Sequence, residues 1–170
     1  MIITNIVASG DLHQSVDLDT LRSLGSIYIY NTEKYHGGYI LLSSCKATVY
    51  RSGKYIFTGL KNPDILIETW KEFISLLTSY VNTSLAESPI IRNIVILENY
   101  GEKINLTHMC NSASMENVEY EPEQFPGLIY RMKHGTALIF SSGKIVIAGV
   151  KSIDEAKDSY ANLKSILDTM

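Results

Sequence analysis

The sequence predicts an α+β fold assembled from two tandem copies of one unit, and three observations carry that prediction. The chain repeats itself, each copy contains a long β-rich stretch, and each copy closes with an amphipathic helical pattern. Thr4-Asn5-Ile6-Val7 returns as Arg92-Asn93-Ile94-Val95, 88 positions later, and Asp17-Leu18 returns as Asn105-Leu106 at the same offset. The offset then becomes 90. Tyr30 meets Tyr120, Tyr35 meets Phe125, Tyr50 meets Phe140, Ser52-Gly53-Lys54 meets Ser142-Gly143-Lys144, and Gly59-Leu60-Lys61 meets Gly149-Val150-Lys151. One change of length reconciles the two offsets, so a single supersecondary design is used twice, over residues 1–88 and 89–170.

Each unit opens with a β-branched run, Ile2 to Val7 or Ile90 to Leu97, which predicts a strand. A short helix follows, capped by Asp17 or Asn105, with Leu18 and Leu21 or Leu106 and Met109 turned inward. Next comes alternating, β-rich sequence, Ile27 to Thr58 and Val118 to Ala148. Turn signals at Asn31-Thr32, His36-Gly37-Gly38, Ser52-Gly53 and their counterparts predict an antiparallel meander. The closing helix of the first unit has Asn62 as cap, Pro63 at its first position and Leu66, Trp70, Phe73, Leu77 and Val81 at helical spacing. In the second, Ser152 and Glu155 form a capping box ahead of a stripe of Ala156, Tyr160, Leu163 and Leu167. Both stripes are read as core. Two such copies can join edge strands into one sheet with the helices on one side, leaving the other face open.

Composition narrows the function. At 170 residues, 45% hydrophobic and 19% charged, the chain is globular. Its apolar runs, such as Ile145-Val146-Ile147-Ala148, are too short to span a bilayer. The opening residues lack a signal-peptide pattern, and Cys45 and Cys110 do not occupy equivalent repeat positions. An intracellular, reducing location without a duplicated disulfide or metal framework is therefore expected. The sequons Asn82-Thr83-Ser84 and Asn105-Leu106-Thr107 are then accidental. Acidic residues outnumber basic ones by eight to seven in the first half and ten to eight in the second. Overall charge thus gives no support to nucleic-acid binding, which would need a local basic strip.

Catalysis finds little footing. The histidines are scattered, and His108-Met109-Cys110 offers two metal ligands at a spacing that closes no site. Ser52-Gly53-Lys54 and Ser142-Gly143-Lys144 resemble the end of a phosphate loop, but the leading glycine is missing and the context is a hairpin. The chain is expected to be no enzyme and to need no cofactor.

Alternation along the strands defines the open face. Asn5 goes with Val7, Asn93 with Val95, Thr48 with Tyr50, Lys54 with Ile56 and Thr58, Leu138 with Phe140, and Lys144 with Val146 and Ala148. If these residues face out, the protein shows an apolar strip flanked by amides and lysines, a surface monomers seldom leave unpartnered. The opposite assignment, with this face as core, fits the alternation equally well.

Tyr120-Glu121-Pro122-Glu123-Gln124-Phe125-Pro126-Gly127-Leu128-Ile129-Tyr130-Arg131-Met132, followed by Ala137-Leu138-Ile139-Phe140-Ser141-Ser142-Gly143-Lys144 and Gly149-Val150-Lys151-Ser152, resembles the second repeat of the TATA-binding protein family. With Asn5, Asn93 and the duplication, the resemblance covers essentially the whole chain, the first repeat being the weaker half. It implies a saddle of about ten curved antiparallel strands with four helices on the convex side. It implies further that the concave face binds and bends A/T-rich double-stranded promoter DNA through the minor groove, as a general initiation factor. Asn5 and Asn93 would donate to base acceptors at the centre of the site, while Val7, Ile56, Val95 and Val146 would exclude the guanine amino group. Thr58, Leu138 and Ala148 would complete that surface. Minor-groove binders, this family among them, wedge apolar side chains between base steps. The matching positions are Tyr35 with Tyr50 and Phe125 with Phe140, Pro126 following one wedge. Lys54, Lys144 and Arg131 match phosphate-contacting positions, and Lys34 precedes the first wedge. Glu121, Glu123 and Gln124 resemble the loop that docks transcription factor B and, through it, RNA polymerase. A weak homodimer through the concave face is also expected, as is a cytoplasmic, nucleoid-associated location in an archaeon or a nuclear one in a eukaryote. The low isoelectric point, near 5.8, resembles archaeal members.

The chain departs from the family at several of these places. Tyrosines bring hydroxyls to the first-repeat wedges, Leu41 stands opposite Arg131, His36 opposite Pro126, and Ala148 where the first repeat keeps Thr58. Two readings follow: a general initiation factor, or a divergent paralogue that binds transcription factor B with weak or altered DNA binding.

Overall fold

The computed structural model describes residues 1–33, 35–112 and 117–170. They divide into two compact units, Asn5–Arg92 and Asn93–Met170, the latter joined by Met1–Thr4. The N-terminus is tied to the second unit by the ion pair of the Met1 amino group with Glu98 at 3.1 Å and by the Thr4 hydroxyl, which donates to the Val95 carbonyl at 3.1 Å.

The first unit contains β1 (Ile2–Asp11), counted from Asn5, then β2 (Tyr28–Ile29), β3 (Gly37–Leu41), β4 (Lys46–Tyr50) and β5 (Lys54–Leu60). They pair antiparallel in the order β2-β3-β4-β5-β1. The second contains β6 (Ile90–Asn99), counted from Asn93, with β7 (Val118–Glu119), β8 (Leu128–Arg131), β9 (Thr136–Ile139) and β10 (Lys144–Val150), in the order β6-β10-β9-β8-β7. Helices α1 (Leu66–Leu77), α2 (Leu106–Asn111) and α3 (Ile153–Leu167) join a 3₁₀ segment, Thr20–Ile27. The α+β class, the ten strands and the two repeats are as the sequence predicts.

One face of each sheet is core. In the first unit Ile6, Ala8, Val49, Tyr55, Phe57 and Leu60 are buried, and Phe57 meets Phe73 of α1 edge-on at 5.2 Å between ring centres. In the second Ile94, Ile96, Ile139, Ile145, Ile147 and Val150 are buried, with Ala156, Leu163 and Leu167 of α3. Burial of large side chains at roughly 1.5–3 kcal/mol each is what holds each helix to its sheet.

Local details differ from the sequence reading. Gly37 and Gly38 lie inside β3 rather than in a turn, because the Tyr28 ring covers Gly38 and leaves no room for a Cβ there. The chain reverses before these glycines, between β2 and β3, where Tyr35 N–H donates to Asn31 O at 3.0 Å, and again between β3 and β4, where Leu42 N–H donates to Cys45 O at 2.9 Å. The opening strands reach Asp11 and Asn99, beyond the predicted Val7 and Leu97. The first short helix is 3₁₀, with the Asp17 carboxylate accepting from Asp19 N–H, whereas Asn105 caps α2 by accepting from His108 N–H at 3.0 Å. Val81 falls beyond α1 and Trp70 is only half-buried. Thr69 occupies the buried stripe instead, and Ser159 does so in α3. Ser152 caps α3 as predicted, but Glu155 accepts from Lys151 N–H, one residue before the cap. Among the described residues no helix is long and apolar enough to cross a membrane.

Candidate nucleic-acid interface

Burial decides which sheet face is available. Along β1, β4 and β5, the buried residues alternate with half-buried Asn5, Val7, Thr48, Tyr50, Ile56 and Thr58 and with exposed Lys54. Along β6, β9 and β10 they alternate with half-buried Asn93, Val95, Leu138, Val146 and Ala148 and with exposed Lys144. Register carries the alternation across strands. Val7 lies opposite Thr58, and Ile56 opposite Thr48; Val146 lies opposite Leu138, and Ala148 opposite Thr136. Each unit therefore presents one helix-free face on which its candidate residues meet, and the alternative with this face as core is excluded.

The two asparagines are held alike. In the first unit the ladder shifts between Ile6 and Val7, so Gly59 becomes an extra residue in β5; in the second a shift between Ile147 and Val150 does the same for Gly149. Both glycines take positive φ, 100° and 90°. Each bulge frees a backbone N–H, which donates to the asparagine Oδ1: Gly59 to Asn5 at 2.8 Å and Gly149 to Asn93 at 2.7 Å. With its oxygen occupied, each amide is fixed in orientation and offers its Nδ2 hydrogens. Recurrence of Gly59 and Gly149 was visible in the repeat, but the bulge that explains it needs the strand register.

The aromatic positions differ between units. Phe125 and Phe140 meet edge-on at 5.8 Å, and a Cβ on Gly127 would come within 2.7 Å of the Phe125 ring. Tyr35, half exposed, instead packs edge-on against Tyr39 at 5.1 Å, and Lys46 Nζ sits 4.5 Å over the Tyr39 ring. Tyr39 and Lys46 have Ile129 and Thr136 as counterparts, so this stack exists once. Leu41 is exposed at the edge of the first face.

Charge is also arranged unequally. Arg131 Nη2 donates to Glu119 at 2.9 Å, a pairing set by β7 and β8 lying side by side. Lys54 and Lys144 have no carboxylate within ion-pairing distance among the described residues. Lys34 lies outside the described residues. Away from the face, burial pushes the Tyr28 hydroxyl up to about 12, and it donates to Leu18 O at 2.8 Å; burial likewise pushes the Cys45 thiol up to about 11. Both groups are structural.

Glu121, Pro122, Glu123 and Gln124 form an exposed turn just before Phe125. Gln124 and Phe125 N–H both donate to Glu121 O at 2.9 Å, so the acidic side chains project from a closed loop and Pro126 follows, exposed.

Comparison with known proteins identifies the family. The family model for transcription factor TFIID, or TATA-binding protein, matches residues 1–80 and 88–170. TATA-box-binding protein C of Halobacterium salinarum is 37% identical, the match covering 96% of this chain and 94% of that one. The TATA-box-binding protein of Methanothermobacter thermautotrophicus is 38% identical over 97% of this chain and 93% of its own. The solved structure of the Methanococcus jannaschii TBP superposes with a TM-score of 0.83 at 31% identity, covering 99% of this chain and 98% of that one. The match of the family model to both repeats, the identity to archaeal relatives and the superposition over nearly the whole chain agree, and the chain belongs to the TATA-binding protein family.

Proposed function

We propose that this chain is a general transcription initiation factor. It binds and bends A/T-rich promoter DNA through the minor groove, and it recruits transcription factor B and thereby RNA polymerase. The observation that carries the reading is the matched pair Asn5 and Asn93, each with Oδ1 taken by a bulge glycine. The minor groove of A·T pairs displays only acceptors, so surfaces that present donors among apolar side chains suit it. Val7, Ile56, Val95 and Val146 supply the apolar part and disfavour the guanine amino group. Phe125 and Phe140 wedge the outer step on one side, Tyr35 and Tyr50 the other. Unstacking costs a few kcal/mol per step and is offset by the contacts a bent duplex permits. Lys54, Lys144 and Arg131 grip phosphates, Arg131 by exchanging Glu119 for DNA. In this proposal residues 1–88 and 89–170 act as the two DNA-gripping repeats, and the same faces associate weakly when no DNA is present.

A second reading, the divergent paralogue, is favoured by one observation: Tyr35 packs edge-on against Tyr39, where the second unit has Ile129. Titrating labelled A/T-rich and G/C-rich duplexes, with and without transcription factor B, separates the readings. Selective A/T binding and a ternary complex support the general factor. Binding of the partner without DNA affinity supports the paralogue, and failure of both sinks the family role. Reversing the charges of Glu121 and Glu123 to lysine is expected to abolish the ternary complex while DNA binding persists; an intact ternary complex would reject that loop as the docking site.

A further inference from the structure

We infer that Arg92 grips a backbone phosphate at the edge of the first unit's face, positioned by Ser9, and supplies the cation that Leu41 does not. This rests on the minor-groove reading above.

Arg92 is exposed, and its Nε donates to Ser9 Oγ at 2.9 Å. That bond uses one of five guanidinium hydrogens and restrains the side chain. The terminal nitrogens keep the planar fork that matches two phosphate oxygens. Arg92 and Ser9 line a cavity of about 720 Å³ together with Tyr50, Lys54 and Ile56, three residues of the candidate interface. The guanidinium is thus continuous with that surface.

Two carboxylates share the cavity lining, Asp11 and Glu87, and both are directed to His13. Asp11 Oδ1 accepts from His13 N–H at 2.8 Å, and Glu87 Oε1 pairs with His13 Nε2 at 2.8 Å. Among the described residues no carboxylate lies within 4.0 Å of Arg92. By contrast Arg131, the arginine of the second face, is neutralised by Glu119.

The device belongs to one repeat. At the offset of 88, Arg92 corresponds to Thr4 and Ser9 to Leu97. Thr4 donates to a backbone carbonyl and carries no charge. The unit that lacks an arginine on β3 therefore has one beside β1, and the two faces reach phosphate from different places.

The test is fluorescence anisotropy with the full chain and labelled A/T-rich and G/C-rich duplexes across a salt series. Replacing a phosphate contact lowers the slope of log affinity against log salt by about one unit. Arg92→Gln is expected to show that loss and to weaken both duplexes alike. Arg92→Lys is expected to keep the slope. Ser9→Ala is expected to weaken binding several-fold at unchanged slope, because the charge stays but is no longer held. A wild-type slope in Arg92→Gln overturns the assignment. So does a changed A/T preference at unchanged slope, which would make Arg92 a base reader. If the wild-type chain binds neither duplex, the minor-groove reading itself fails and takes this one with it; circular dichroism melts establish that each variant is folded.

Discussion

At the scale of single residues, the asparagines separate folding from binding. Asn5→Asp and Asn93→Asp keep an oxygen to accept from Gly59 or Gly149 N–H but replace the outward-facing donor with a second acceptor. Unfolding stability should stay within about 0.5 kcal/mol, while A/T-duplex affinity should fall at least about tenfold, or 1.4 kcal/mol. Equal affinity in both variants, measured by anisotropy, would deny the amides their proposed role. His13 gives a pH prediction. It takes φ 54°, and its pKa is raised above 6.5, chiefly by the Glu87 hydrogen bond. A folded value above the unfolded one means stability that is fully present below pH 6.5 and lost as pH rises through the folded value. Wild type should therefore exceed His13→Ala in melting temperature at pH 5.5 by more than at pH 8.5. The pair is exposed, so the difference will be small.

At the scale of elements, the long helices are tied to their hairpins by hydroxyls that the helical pattern did not single out. Ser159 donates to His134 O at 2.8 Å, and Thr69 donates to Ile65 O at 2.8 Å and accepts from the Ser44 hydroxyl at 2.8 Å. Both sit one position from the aromatic residues that helical spacing had assigned to the core, Tyr160 and Trp70. Only the helix's rotation about its axis, settled by packing against the sheet, selects between such neighbours. Ser159→Ala leaves the His134 carbonyl without this donor and should cost about 1–3 kcal/mol in urea unfolding, with an unchanged m-value. The β9–β10 turn is tighter still. Gly143 has φ 89°, and a Cβ there would collide with the Glu102 carbonyl. Gly143→Ala should destabilise by roughly 1–3 kcal/mol from backbone strain alone.

At the scale of the whole molecule, the repeats share a plan and differ in what they present. The second face carries paired phenylalanines over Gly127 and an arginine on β8; the first carries Tyr35 on Tyr39, Tyr50, and Arg92 in place of an arginine on β3. Tyr35→Phe and Tyr50→Phe remove hydroxyls that would be brought against stacked bases, where an unsatisfied one costs about 1–3 kcal/mol. Both variants should bind an A/T-rich duplex more tightly in the anisotropy assay; unchanged or weaker affinity would mean that these tyrosines do not wedge.

The duplication, the α+β class, the caps at Asn105 and Ser152, and the membership of candidate residues in common strands were all legible in the sequence, because repeats, caps and period-two alternation are local properties; Asn62 also caps, but on a 3₁₀ turn, Pro63–Ile65, that leads into α1. What the tertiary structure alone decided depends on contacts between distant segments. It decided which side of each sheet the helices cover, and hence that Val7 and Val146 are available while Ile6 and Ile147 are core. It decided that β-bulges at Gly59 and Gly149 orient the two amides, that Tyr35 engages Tyr39, and that Glu119 holds Arg131. Alternation specifies two faces without naming the buried one, and strand register, on which every one of these pairings depends, is set only when the helices and their sheet pack together.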